Sequence, residues 1–398
     1  MKLVEQHIIE RKHIHFQAID GACFDSKNLY NATNYQIRQS FFETGQIKSY
    51  PEMAHFMKDT EEYKALPAKV SQQVLLQLSR EWTSYWEALS EWKKHPQKFR
   101  GKPKIPNYKD KQKGRNLLVY TKQALSKPLL KKGIIKPSQI DITVKTKQEQ
   151  VRQVRIVPKK THYVVEVVYE VQPKSYPLEE KWIVGIDVGL NNLAAIASNK
   201  QGFIPLVVNG RPLKSINQFY NKKRAEMMGK LQSPKRSSRG LDHLTQKRNR
   251  RIRHALHVAS RRIVEHLVLE RIGTLVIGKN PFWKQEVTLG SKNNQNFVSV
   301  PHAWFVSMLK YKAQLFGIKV LITEESYTSK CSFLDQEPLY HQEVYMGKRI
   351  KRGLFLSAKR KRINADLNGS YNIIRKVAPN AFSNGVEGVV VHPVNVSI

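Results

Sequence analysis

The feature that most constrains this chain is an apolar run with a carboxylate inside it, WIVGIDVGLNNLAAIASN at residues 182–199. Such a run reads as a strand buried on both faces, followed across a short turn by a second strand. Asp187 lies at the end of the first strand, where burial penalises an ionised carboxylate unless something balances its charge. Taken alone, it could equally cap the turn into Gly189.

Around this strand pair the sequence lays out a mixed α/β domain. GFIPLVVNG supplies a third strand, and helical sequence runs from about Leu213 to Leu269. TLVIG (274–278) and KVLIT (319–323) are two further buried strands, and NADLNGSYNIIRKV is a closing helix. Three strands, a helix, a strand, a helix, a strand and a helix is the order of an RNase H-like domain. Asp366 lies one or two residues into the last helix, whose apolar face carries Leu367, Tyr371 and Ile374. Alone it is an ordinary N-terminal helix acid favoured by the macrodipole. Together, Asp187 and Asp366 fit phosphodiester hydrolysis by two Mg²⁺ ions, which needs carboxylates from different elements converging on ions about 4 Å apart.

Upstream, residues 1 to about 20 alternate apolar and polar side chains (Val4, His7, Ile9, His13, His15, Gln17) as a strand does. From Ser26 to about Trp92 the apolar positions step by three and four, as in Val70, Val74, Leu78, Trp82 and Leu89. Lys93 to Lys136 is dense in Lys, Pro and Gly, and VRQVRIVPKKTHYVVEVVYEV returns to strand pattern. This predicts a β-rich module (1–25 and 93–180) interrupted by a helical insert (26–92). PKSYPLEEK is the linker to a second domain at 181–398.

The 398 residues hold 68 Lys and Arg against 32 Asp and Glu, a formal charge of +36. A chain this basic repels itself unless a polyanion neutralises it, and nucleic acid is the commonest large polyanion in a cell. Two cysteines, Cys23 and Cys331, build neither a disulfide framework nor a Cys-rich zinc site. The start of the chain has no apolar core of signal-peptide length, and no apolar stretch approaches 18 residues. A soluble, cytoplasmic protein without membrane contact is expected.

GIDVGLNNLAA resembles the first RuvC motif of the TnpB and type V CRISPR effector nucleases. VNGRPLKSINQFYNKKRAEM, LTQKRNRRIRHALHVASRRIVEHL, ESYTSKCSF and NADLNGSYNI resemble TnpB segments in the same order. The similarity covers residues 181 to about 380; over the N-terminal half it is one of architecture. The implied fold class is multidomain α+β. It has an N-terminal β-barrel-like wedge module with a helical recognition insert, and a C-terminal RNase H-like (RuvC) domain.

Two departures from the family matter. Relatives end the fourth strand in a glutamate, the second RuvC acid, where this chain has LVIGKN with Gly278. The best substitutes are Glu324 and Glu325, at the end of the fifth strand, which neighbours the fourth in this fold. Strand neighbours point to opposite faces, so one of the pair serves, and Glu325 is favoured slightly over Glu324. Glu286 is a weaker candidate. The family's zinc ribbon is reduced at 327–362 to a lone Cys331 with His341, too few ligands for a structural zinc site. A zinc-less insert held by Phe333, Leu339, Tyr340, Leu354 and Phe355 is expected.

Residues 222–262 hold fourteen Lys or Arg and two acids. Lys222, Lys223, Arg224, Lys247, Arg248, Arg250, Arg251, Arg253 and Arg261 share the segment with an apolar stripe (Leu256, Val258, Ile263). One face can therefore pack while the other grips phosphates. A second cluster (Lys348, Arg349, Lys351, Arg352, Arg360, Arg362) precedes Asp366 and would guide a strand toward it. Upstream, Phe99, Tyr108 and Tyr120 interleave with basic residues in a segment fit for guide RNA, or for plain solvation.

The resemblance implies cleavage of double-stranded target DNA. The cut is directed by a guide RNA from a flanking transposon or array and made next to a short adjacent motif. Asp187, Asp366 and Glu325 would bind two Mg²⁺ ions, for which Mn²⁺ can substitute; no zinc is expected. Two other readings stay open: an RNA-guided DNA-binding protein that has lost cleavage, suggested by Gly278, and a guide-free, structure-selective nuclease. The sequence sets no oligomeric state.

Overall fold

Strand β1 (Lys2–Glu10) has the alternating exposure its sequence predicts, and pairs along its whole length with β6 (His162–Glu170). The computed structural model describes residues 1–232, 236–280, 300–383, 385–386 and 388–397. These fall into two units, Met1–Val171 and Gln172–Ile398.

In the first unit the strand pattern ends sooner than the alternation of His13, His15 and Gln17 suggests. Helix α1 (Phe16–Thr44) already begins at Phe16, because Ile19, Cys23, Ser26 and Tyr30 bury one helical stripe. Tertiary burial of that stripe outweighs a short polar alternation. Helices α2 (Tyr50–Met57), α3 (Glu61–Lys64) and α4 (Ala68–Lys94) complete the insert. Trp82 of α4 is fully buried and donates its indole N–H to Asn34 Oδ1 at 3.1 Å.

The Lys- and Pro-rich segment that follows has no ladder partners of its own, so α1 satisfies it. Lys27, Asn31 and Asn34, spaced four and three residues apart on one face, donate to the carbonyls of Lys111, Lys109 and Pro106 at 2.7, 2.9 and 3.0 Å.

The sheet of this unit contains β2 (Leu118–Thr121) and the hairpin β5 (Val151–Pro158) and β6, in the order β1-β6-β5-β2. The short helix α5 (Lys127–Lys131) leads into a separate ribbon that pairs β3 (Ile134–Ile135) with β4 (Val144–Lys145). The expected barrel-like module is thus an open sheet: β1 and β2 stand at its two edges, and no closed barrel forms among the described residues.

The second unit is built on a six-stranded mixed sheet, β11-β10-β7-β8-β9-β15. Its strands are β7 (Glu179–Asp187), β8 (Asn192–Ser198), β9 (Leu206–Asn209), β10 (Ile272–Gly278), β11 (Lys319–Thr323) and β15 (Val394–Val396). β7 and β8 are antiparallel, whereas β10 runs parallel to both β7 and β11.

One face of this sheet packs against α7 (Arg239–Leu269) and α8 (His302–Leu315) through Ile252, Leu256, Ile263, Phe305 and Leu309; α6 (Arg211–Gly229) adds Leu213. The other face, with Ala195, Ala197 and Val207, packs against α9 (Ala365–Val377). A Cβ at Gly185 of β7 would collide with the Ser370 carbonyl of α9, so glycine is what lets the two approach.

A small sheet of β12 (Lys348–Lys351), β13 (Leu354–Leu356) and β14 (Arg362–Asn364) precedes α9. Phe333 and Phe355 are buried there as predicted, together with Leu334, which the sequence reading passed over. Tyr340 does not hold this insert: it is 59% exposed, and the rings packed on Phe333 are Tyr371 and Phe382. Cys331 is buried and its thiol donates to the Pro338 carbonyl at 3.2 Å, while the His341 ring stands edge-on to Tyr327. Among the described residues no helix is long and apolar enough to cross a membrane.

Candidate active site

Asp187 is the last residue of β7, opposite Ala195 of β8. Its carboxylate lies against α9: a Cβ placed on Gly369 would come within 2.6 Å of Asp187 Oδ2. Burial, and then the charge of neighbouring Asp366, push the Asp187 carboxyl up to about 7, against the opposing influence of Arg349.

Asp366 occupies the first turn of α9, where the Asn364 side chain caps the backbone N–H groups of Asp366 and Leu367 at 3.0 and 3.2 Å. Its two oxygens have separate partners. Oδ2 accepts from Asn192 Nδ2 at 2.6 Å, and Oδ1 accepts from Arg349 Nη2 at 3.2 Å. Arg349 arrives from β12, and its ion pair is partly exposed.

β10 ends at Gly278, in register with Thr323 of β11. The two glutamates follow β11 rather than ending it, and they part company at once. Glu324 is exposed, whereas the backbone N–H of Glu325 donates to Asn280 Oδ1 at 2.8 Å and its side chain turns over Gly278. A Cβ at position 278 would lie 2.6 Å from both Cγ and Oε1 of Glu325. The Glu325 side chain therefore fills the space that any side chain on residue 278 would enter. Its Oε1 is buried without a hydrogen-bond partner among the described residues. Burial, and then the charge of Asp187, push its carboxyl up to about 8, with Lys376 opposing.

Asp187 thus stands electrostatically between two other acids, one on α9 and one beyond β11. Glu286 lies outside the described residues. Among the described residues no group of three His, Cys, Asp or Glu side chains is gathered closely enough to hold one metal ion. The sequence reading missed Asn192, although it sits in GLNNLAA five residues after Asp187. It also missed Asn280 and Lys376, which meet Glu325 only through the fold.

Several basic residues have protein partners, and many, some of the paired ones included, are exposed to solvent. Arg248 donates to Asn217 Oδ1 at 2.7 Å and lies over the Tyr220 ring, joining α7 to α6. Arg261 pairs with Glu265 at 2.7 Å and Lys223 with Glu226 at 2.8 Å. Lys222, Arg224, Lys247, Arg250, Arg251 and Arg253 are exposed, as are Lys348, Arg349, Lys351, Arg352, Arg360 and Arg362 in and around the small sheet.

Residues 166–282 match a family model described as a probable transposase, OrfB_IS605, and residues 302–373 match one described as the Cas12f1-like TNB domain. The first match takes in Asp187 and Gly278, the second Glu325 and Asp366. A TnpB-like protein of Acidianus two-tailed virus, ORF457, is 25% identical over 391 residues, covering 88% of this chain and 81% of its own. Over these segments the chain is similar to the TnpB family. Through the same matches the family is related to the type V CRISPR effectors. Among solved structures, a Cas12f1 complex with single-guide RNA and target DNA superposes with a TM-score of 0.57 at 15% identity, over 90% of this chain and 81% of that one. At that identity the likeness concerns the fold alone, a mixed α/β multidomain arrangement.

Proposed function

We propose that this chain is a TnpB-type RNA-guided DNA endonuclease whose catalytic acids are Asp187, Glu325 and Asp366, within a RuvC-like domain at 181–398. The observation that carries the proposal is the Glu325 side chain lying over Gly278. The carboxylate absent from β10 is replaced from the neighbouring strand's end, and Glu324 faces solvent instead.

The acids suit a divalent cation. They offer only oxygen donors, Glu325 Oε1 is buried without a partner among the described residues, and burial, with mutual repulsion second, holds two of the carboxyls far above their ordinary range. Asp187 with Glu325, joined by Asp366, would hold Mg²⁺ or Mn²⁺, which when bound activates water and steadies the leaving oxygen of a phosphodiester. The chain's own residues set the geometry. β7 and the Gly369 contact fix Asp187, Asn280 fixes the turn that carries Glu325, and Asn192 and Arg349 hold the two oxygens of Asp366.

The exposed cations of α6, α7 and the small sheet would track the phosphates of guide RNA and target DNA. Residues 1–25 and 93–180 serve as the wedge-like module, 26–92 as the recognition insert and 327–362 as the zinc-less insert. The complex of the Cas12f1 relative with guide RNA and target DNA supports these partners.

The test is plasmid cleavage by protein co-expressed with its flanking non-coding RNA, on targets with a randomised adjacent sequence and Mg²⁺. Guide-directed cutting that disappears with Asp187→Ala supports the proposal; cutting that needs no guide sinks it.

A second reading, guided binding without cleavage, is favoured by one observation: Asp366 is engaged by Arg349 and Asn192, and among the described residues no three acids are gathered closely enough to hold an ion. It predicts guide-dependent DNA binding with the plasmid left intact.

A further inference from the structure

Far along the sequence from the acids, the first unit contains a cavity of about 460 Å³ that none of the proposed chemistry uses. Its walls come from the turn after β1, the first turns of α1, the segment Gln112–Arg115 and the β5–β6 turn. Five of the lining side chains are cations (Arg11, Lys113, Arg115, Lys159 and Lys160), and a single lining acid, Asp20, faces them.

That acid is fully engaged. Arg115 donates to it through Nε at 2.9 Å and Nη2 at 2.6 Å, and the Tyr163 hydroxyl donates as well. Its carboxyl is held below the ordinary range, chiefly by the Arg115 hydrogen bonds. The cavity therefore carries a net charge of about +4 when His162 is neutral, five cations less one carboxylate.

The cations stand on backbone that is already fixed. Asp110 Oδ1 accepts the Gln112 and Lys113 N–H groups at 3.0 and 2.6 Å, and Lys159 N–H donates to the His162 carbonyl at 2.9 Å. Arg115 is braced further by donating to the Gly114 carbonyl at 2.8 Å. On one side the Phe16 and Tyr163 rings, centroids 5.3 Å apart, make an aromatic wall.

We infer that this cavity binds the phosphorylated terminal nucleotide of a nucleic-acid strand. Convergent cations answer a phosphate monoester, which carries about −1.5 to −2 charges at neutral pH against −1 for an internal diester. Of the two rings only Phe16 is partly exposed, Tyr163 being buried behind it, so Phe16 is the ring a base would stack on. The site is half open, so the preference for a chain end rests on the higher charge of a terminal phosphate facing five lining cations. The inference rests on the nucleic-acid-binding part of the proposed function and is independent of cleavage.

The test is binding of short single-stranded RNA with a 5′-phosphate, a 3′-phosphate or hydroxyls at both ends, measured by fluorescence anisotropy on the full chain with EDTA present. One phosphorylated end should bind about tenfold tighter than the hydroxyl-ended RNA, the increment of one or two charge-assisted contacts. The Lys113→Ala/Lys159→Ala variant removes two exposed cations and leaves the Asp20 network intact. It should lose that preference while melting like the parent and still binding hydroxyl-ended RNA. A free nucleoside monophosphate in excess should compete.

Equal affinity for all three RNAs, or a preference that survives in the variant, overturns the site and leaves the nuclease proposal standing. Failure to bind any of the RNAs overturns both.

Discussion

Gly278→Ala puts the central geometric claim to a test that needs no change to any acid. The added Cβ would sit 2.6 Å from Glu325 Cγ, Glu325 Oε1 and Ile373 Cδ1. Two of these atoms belong to a flexible side chain and the third to a core residue of α9, so the fold should absorb the methyl by displacing Glu325. Overpacking of this kind costs about 1–3 kcal/mol. Displacing a reacting group by about 1 Å costs about 100-fold in rate. We therefore expect Gly278→Ala to lower stability in urea denaturation by about 1–2 kcal/mol and guided plasmid cleavage by about 100-fold. In Gly278→Ala/Glu325→Ala much of the strain should vanish, leaving about 0.5–2 kcal/mol of favourable coupling, while cleavage stays absent. Gly278→Glu/Glu325→Gly, which moves the acid back to β10, should recover part of the cleavage. A Gly278→Ala protein as stable and as active as the parent would refute the placement of Glu325 over residue 278.

Three further outcomes follow from the same site. Because the Glu325 carboxyl lies at about 8 in the folded protein against an ordinary 4.5, the divalent-free parent is fully stable below that lower value and loses stability as pH rises through 8. Glu325→Gln should therefore unfold like the parent near pH 4 but be more stable by about 1–3 kcal/mol at pH 8.5; an unchanged pH profile in urea titrations argues against burial of this acid. Gly369→Ala, whose Cβ would meet Asp187 Oδ2 at 2.6 Å, should keep the fold yet abolish the rise in melting temperature that Mg²⁺ gives the parent, a rise that itself follows from binding the folded state alone. Asn192→Ala removes the 2.6 Å bond to Asp366 and should slow cleavage about tenfold, roughly one charged hydrogen bond, with Asn192→Ser recovering part of the rate.

Much of the second unit is legible because its strands are continuous apolar runs. The IVGID run ends β7 on the acid, as a doubly covered strand allows; KVLIT coincides with β11 but is not the buried strand its apolar run suggests, because it forms the edge of the sheet and leaves Ile322 49% exposed. The alternation that sets neighbouring side chains apart also separates Glu324 from Glu325, even though both lie just past the strand. What local pattern cannot carry is contact between distant segments. β15 adds itself to β9 from the last residues of the chain. Arg349, noted in the sequence only as a basic residue, ends on Asp366, and Asn192 does the same. The start of α1 at Phe16 and the exposure of Tyr340 were misjudged for the same reason. Both depend on which apolar surfaces meet in the fold: Ile19 and Cys23 join the first core, and Phe333 packs with Tyr371 and Phe382.

The most direct measurement is guided plasmid cleavage with Mg²⁺ by the parent, Glu324→Ala and Glu325→Ala proteins, each checked for equal binding of target DNA. The account predicts that the parent and Glu324→Ala cut, while Glu325→Ala binds and leaves the plasmid intact. Cutting by Glu325→Ala at the parent's rate would contradict it.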